Sequence, residues 1–205
     1  MSSMRPQLWV FAGPNGAGKS TLVSRYRVAS RIPIVNPDDI ARAIGPDDPG
    51  ATSAQNQAGR LAIAQRKQLL QEGRSFGIET TLTGRRELPF MQTAKELGYK
   101  LNLVYVGLSE VEQSHVRVAA RVQRGGHDVP EQDLLRRFDR SLGHLADAIG
   151  LSDRVRILDN SGKTYRLLLS MDLGRTKFVT RNLPDWARAA VPMAMQQPPQ
   201  GHPGD

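Results

Sequence analysis

The sequence predicts an α/β protein: a doubly wound, mostly parallel sheet with a helical lid. Three observations predict it. Short apolar runs alternate along the chain with stretches of helical periodicity. The first run ends in a glycine-rich loop that opens into a helix, and arginines later recur at helical spacing beside a glycine pair.

The elements follow in order. Gln7 to Ala12 is apolar and ends at Gly13, as a buried parallel strand does. A helix begins at Lys19 and carries Leu22, Val23 and Tyr26. Ile32 to Val35 is a second strand, stopped by Asn36-Pro37, and the acidic pair Asp38-Asp39 opens the next helix. After the turn-rich Gly45 to Gly50, Thr52 or Ser53 caps a long helix to about Glu72, with Ala54, Ala58, Leu61, Ala62 and Leu69 on one face. Ser75 to Glu79 is the third strand. Residues 86 to 97 are helical until Gly98, and Lys100 to Val106 is the fourth strand.

Ser109 caps a helix whose Val111, Val118 and Val122 share a face. Gly125 to Pro130 breaks it, and one helix from about Glu131 to Ile149 follows, facing the core with Leu134, Phe138, Leu142, Leu145 and Ile149. Arg154 to Leu158 and Tyr165 to Ser170 are strands, and Pro184 to Ala190 is a short helix. Residues 1–190 are expected to form one domain with a lid at about 117–140. The Gln/Pro/Gly-rich residues 191–205 read as a disordered tail.

Composition narrows the class. The chain has 205 residues, 39% hydrophobic and 23% charged, ordinary values for a globular protein. No apolar stretch is long enough to span a bilayer. Met1 to Pro6 lead straight into a strand, so no signal segment is expected, and there are no cysteines, which excludes disulfides, thiolate metal sites and thiol nucleophiles. A cytoplasmic location is expected. The 28 basic against 20 acidic residues suit an anionic partner, but 5% aromatics are few for stacking nucleic-acid bases.

The loop Gly13-Pro14-Asn15-Gly16-Ala17-Gly18-Lys19-Ser20, with Thr21 next in the helix, has the pattern G-x4-G-K-S between a strand and a helix. Its glycines let the backbone wrap phosphates, and the first helical N–H groups point at the anion. Lys19 reaches the β- and γ-phosphates of ATP or GTP, and Ser20 offers its hydroxyl to Mg²⁺. This is the P-loop NTPase or kinase-like arrangement. The chain has no N-K-x-D base-reading motif and no late strand ending in paired acids, which leaves a compact kinase.

A kinase needs a carboxylate at the acceptor hydroxyl. Asp38 and Asp39 follow strand two at the sheet edge where ligands gather, one expected to be catalytic (Asp38) and one to cap the helix. Glu79 ends strand three, positioned for a metal water or a substrate hydroxyl, with Thr80 and Thr81 beside it. Arg117, Arg121 and Arg124 share one helix face next to a glycine hinge, and Arg136, Arg137 and Arg140 lie on the next helix, so the six compose an anion-clamping lid. His127 falls in the hinge, and His115 on the apolar side of its helix, as a packed histidine.

Four blocks carry a family resemblance: Phe11 to Thr21, Asn36 to Ala41, Ile78 to Leu82 and Arg121 to Pro130. In that order they resemble the short zeta toxins, P-loop kinases of bacterial toxin–antitoxin systems. The resemblance implies ATP and Mg²⁺ as cofactors, bound through Lys19 and Ser20, and a sugar hydroxyl of UDP-N-acetylglucosamine as acceptor. It implies Asp38 as the base, Glu79 as a substrate-binding acid, and Arg121 with Arg136 or Arg137 as phosphate clamps. It also implies a cognate antitoxin. The chain is shorter than the Gram-positive members, and their sugar-binding insertions have no match here.

The expected site is then Asp38, Lys19 and Arg121 for catalysis, Gly13 to Thr21 with Arg124 for the nucleotide, and Glu79, Thr80, Thr81, Arg136 and Arg137 with Asp38 for the acceptor. Two alternatives stand beside it. One is a kinase of another acceptor, such as a nucleoside, a polynucleotide end or an antibiotic. The other is an ATP-binding switch that transfers nothing, for which the loss of Asp38 would be silent.

Overall fold

The computed structural model describes residues 5–45, 52–123 and 129–197. Seven strands form one sheet: β1 (Gln7–Ala12), β2 (Ile34–Val35), β3 (Phe76–Thr80), β4 (Lys100–Gly107), β5 (Arg154–Asp159), β6 (Arg166–Asp172) and β7 (Arg175–Val179). The helices are α1 (Lys19–Arg25), α2 (Pro37–Ile44), α3 (Thr52–Gln71), α4 (Glu87–Glu96), α5 (Val111–Val122), α6 (Glu131–Gly143), α7 (Leu145–Leu151) and α8 (Asp185–Ala190).

The strand order is β2-β3-β1-β4-β5-β6-β7. The first five strands in chain order run parallel, and β6 and β7 add an antiparallel edge. The order reverses direction at β1, which puts the β1 and β3 tips at the crevice where such sheets bind ligands. Side chains alternate between the two faces. Leu8, Val10, Leu101, Leu103 and Tyr105 enter one core with Ile78 and Met91, while Phe11, Val104 and Val106 enter the other with Leu22, Val23 and Phe138.

Several expectations change. The helix foreseen from 131 to 149 is two, α6 and α7, broken at His144. Its ring Nδ1 lies 2.8 Å from the carbonyl oxygen of Leu82, a residue held at φ 59°, which fixes the break in place. Strand β7 has no counterpart in the sequence reading. Its Arg-Thr-Lys-Phe-Val run is half exposed, and the turn before it places both Leu173 (φ 49°) and Gly174 (φ 75°) in the left-handed region, as a tight hairpin requires. Leucine at the first of these positions disguised the turn.

Leu61 was placed on the core face of α3 but is 46% exposed, and Tyr26 is 60% exposed at the end of α1. Helix α3 instead buries a narrow stripe of Ala54, Ala58, Ala62, Leu69 and Leu70, and the small residues let it approach α2 closely. Ser109 does not cap α5; Glu110 stands at the cap, and the Ser109 hydroxyl bonds that of Ser161 at 2.8 Å.

The segment from residue 191 was expected to be a tail. Val191 is buried, and the Gln196 amide donates to the carbonyls of Arg188 and Val191. Residues 198–205, the cap before Thr52, most of the loop from Gly45 to Gly50, and the hinge from Arg124 to Asp128, His127 included, lie outside the described residues. Among the described residues no helix is long and apolar enough to cross a membrane.

Candidate active site

The loop from Gly13 to Ser20 leaves the tip of β1 and is shaped by glycines where nothing else fits. Gly13 sits at φ 141°, and a Cβ there would fall onto the Val106 carbonyl of the neighbouring strand. Gly18, at φ 98°, begins α1, and a Cβ there would lie 2.7 Å from Asn160 Nδ2 and 2.8 Å from Tyr165 Oη.

Those two side chains hold the loop from outside. Asn160 Nδ2 donates to the Ala17 carbonyl at 2.8 Å, Tyr165 Oη to that of Gly18 at 2.8 Å, and Ser114 Oγ to that of Asn15 at 2.6 Å. Arg117 adds a bond of 2.7 Å to the Asn160 carbonyl. A loop whose carbonyls are held outward presents its N–H groups inward to an anion. Tyr165→Phe is therefore expected to lower the unfolding free energy by about 1 kcal/mol, measured by urea denaturation without nucleotide.

Inside the loop, Lys19 Nζ donates to the carbonyls of Gly13 (2.8 Å) and Pro14 (3.0 Å). Burial pushes its pKa down to about 8; Glu79 and Asp38 oppose that shift and Arg121 adds to it. The Ser20 hydroxyl donates to Glu79 Oε2 at 2.6 Å, joining the start of α1 to the tip of β3. Glu79 is buried, and burial raises its pKa, against the opposing Ser20 bond and Lys19 charge; Asp39 and Asp38 raise it further.

Neither acid of the Asp38-Asp39 pair caps α2. Asn36 does so, its side chain accepting the Asp38 N–H at 3.0 Å, with Pro37 setting the first turn. Asp39 turns outward into an ion pair with Arg42. Asp38 is left lining a cleft of about 1000 Å³ with Lys19, Ser20 and Glu79.

Thr80 and Thr81 line the same cleft. Thr80 Oγ1 accepts the Leu82 N–H at 3.0 Å, and the Thr81 and Thr83 hydroxyls bond each other at 2.8 Å. Arg117 and Arg121 from α5 and Arg136, Arg137 and Arg140 from α6 line the cleft as well. Asp133 pairs with Arg136 at 2.7 Å and lies 3.6 Å from Arg137. Arg124 lies outside the described residues. His115 stays away from the cleft, its Nδ1 3.6 Å from Glu131.

Sequence reasoning missed Ser114, Asn160 and Tyr165, and also Arg66 and Glu87 in the cleft wall. Asn160 had a signal, since it follows the β5 tip on the ligand-binding edge. Arg66 had none, being one polar residue among many along α3.

Comparison with known proteins fits this geometry. The family model of an AAA domain (AAA_33) matches residues 8–141, from β1 into α6. An uncharacterised protein of Haemophilus influenzae is 37% identical over 142 residues, which is 66% of this chain and 99% of that protein. The AvrRxo1-ORF1:AvrRxo1-ORF2 complex solved with ATP is similar at a TM-score of 0.70 and 19% identity, covering 98% of this chain and 66% of that one. The PezAT toxin–antitoxin system of Streptococcus pneumoniae is similar at a TM-score of 0.57 and 20% identity, covering 81% and 72%. The chain thus spans about two thirds of the chain it matches in the AvrRxo1-ORF1:AvrRxo1-ORF2 complex. It has a P-loop kinase-like α/β fold, and by the match from β1 into α6 it belongs to the AAA domain family.

Proposed function

We propose that the protein is an ATP-dependent kinase of the zeta-toxin kind, transferring the γ-phosphoryl group to a sugar hydroxyl of a UDP-activated amino sugar such as UDP-N-acetylglucosamine. One observation carries the kinase reading: Lys19, the Ser20–Glu79 pair and Asp38 share one cleft, so a phosphate site and a free carboxylate face the same space. The acceptor class is supported by the four sequence blocks and by the arginine wall, which suits an anionic diphosphate. Two similar folds add support, one solved with ATP and one from a toxin–antitoxin system.

In this reading Asp38 accepts the proton of the acceptor hydroxyl as the new O–P bond forms and the bond to the ADP oxygen breaks. Lys19 exchanges its two loop carbonyls for phosphate oxygens. Arg121 stabilises the charge on the transferring group, and Arg136 and Arg137 hold the acceptor, with α5 and α6 acting as the lid. Among the described residues no cluster of three metal-binding side chains exists. The hard oxygens of Ser20 and Glu79 nevertheless fit Mg²⁺, which takes one or two protein ligands alongside phosphates. Bound there, it would neutralise phosphate charge. A cognate antitoxin is the partner this reading implies.

Incubation with ATP, Mg²⁺ and UDP-N-acetylglucosamine should give ADP and a phosphorylated sugar nucleotide by mass spectrometry. A blank across a panel of UDP-sugars would overturn the acceptor. The lowered Lys19 pKa gives a separate check on the donor site. With a pKa of about 8 the free protein is expected to lose this proton as the pH rises from 7 to 9, and phosphate binding to restore it. Calorimetry in buffers of different ionisation enthalpy should therefore show proton uptake on ATP binding that rises from pH 7 to 9, and Lys19→Arg should abolish the rise.

A further inference from the structure

Two charged side chains in the cleft wall have no part in the scheme above. Arg66 projects from α3 and its Nη2 lies 3.4 Å from the Glu79 carbonyl, while its buried Nε has no partner within the protein. Glu87 opens α4 and its Oε1 accepts a long bond of 3.4 Å from Thr80 Oγ1, while its buried Oε2 has no partner either. Both side chains therefore attach to the tip of β3, at the two residues that end it, and both line the cleft that Asp38 lines. The Glu87 carboxylate folds back over Gly84, where a Cβ would lie 2.8 Å from its Cδ. The missing side chain makes room for it.

Unpaired buried donors and acceptors are costly unless a ligand satisfies them. A donor and an acceptor facing one cleft match a neutral group offering both roles. They do not match a phosphate, which Glu87 would repel. We infer that Arg66 and Glu87 select the acceptor, gripping a neutral hydroxyl pair or amide of it next to the hydroxyl presented to Asp38. This rests on the kinase reading of the cleft. The field of Glu87 at Arg66, which opposes the lowering by burial, agrees with their proximity.

The test is transfer from γ-labelled ATP to a panel of UDP-sugars, nucleosides, aminoglycosides and 5′-hydroxyl oligonucleotides. For whichever member the wild type phosphorylates, Glu87→Gln, Arg66→Lys and Gly84→Ala are expected to raise the acceptor KM at least tenfold, with kcat and the ATP KM within threefold. Gly84→Ala displaces the carboxylate without changing any charge, and melting curves confirm folding of each variant. An acceptor other than a UDP-sugar would overturn the proposed substrate while leaving this pair judged on that acceptor. An unchanged acceptor KM in the variants would overturn the pair alone. No transfer to any member would overturn both.

Discussion

Asp38→Asn is expected to lower kcat by about 10²- to 10⁴-fold, the usual worth of a positioned base. ATP affinity should stay within about threefold, a shift of less than one tenfold step. The separation follows from where the residue stands. Asn36 already caps α2, so the substitution removes no cap, and the Asp38 backbone bond to Asn36 is untouched. Asparagine keeps the shape and loses the proton acceptor. The carboxylate also supports the charge on Lys19, so the variant should titrate Lys19 at a lower pH than the wild type. Single-turnover kinetics and ATP calorimetry on one preparation check both halves. Undiminished turnover would place the base elsewhere, and an ATP-binding switch would show no loss of biological effect.

Lys19→Met is expected to cost more. Losing one net charge-assisted bond to phosphate, worth about 1.5–3 kcal/mol, weakens ATP binding by roughly 10- to 150-fold. Losing charge stabilisation during transfer removes about another 10²- to 10³-fold from the rate. Stability should move the other way. The folded-state pKa of about 8 lies below the ordinary 10.5, so at pH 7 folding carries the cost of burying this charge. The cost is constant below pH 8 and fades as the pH rises towards 10.5. Methionine removes it, so the nucleotide-free variant should melt at or above the wild-type temperature at pH 7. A clear fall in melting temperature would mean that the bonds to Gly13 and Pro14 outweigh the burial.

What could be read in the sequence divides along a physical line. The phosphate loop was legible because an anion contacts consecutive backbone atoms, which forces a contiguous pattern from Gly13 to Ser20. The alternation of strands and helices was legible because both faces of the sheet are covered. Asp38 was legible from a rule of topology, the ligand-binding edge of the sheet. Arg66, Glu87 and Tyr165 were not, since each acquires its place only when distant segments pack: Tyr165 reaches Gly18 across 147 positions. Local chemistry misled at the start of α2 as it did at Ser109. One acid of the Asp38-Asp39 pair was expected to cap a helix starting near Ile40, yet Asn36 took the cap, because the helix already starts at Pro37.

The ties from Ser114, Asn160 and Tyr165 to the loop carbonyls make the phosphate loop a poor candidate for transplantation. The eight residues from Gly13 to Ser20 grafted onto a different sheet would arrive with three carbonyls stripped of their partners. Each such group left buried and unpaired costs about 1–3 kcal/mol, comparable in sum to the whole stability of a small domain. A graft that kept its shape would have to import the start of α5 and the β5–β6 connection as well. The portable unit is the loop together with its scaffold, assembled from three separate stretches of chain.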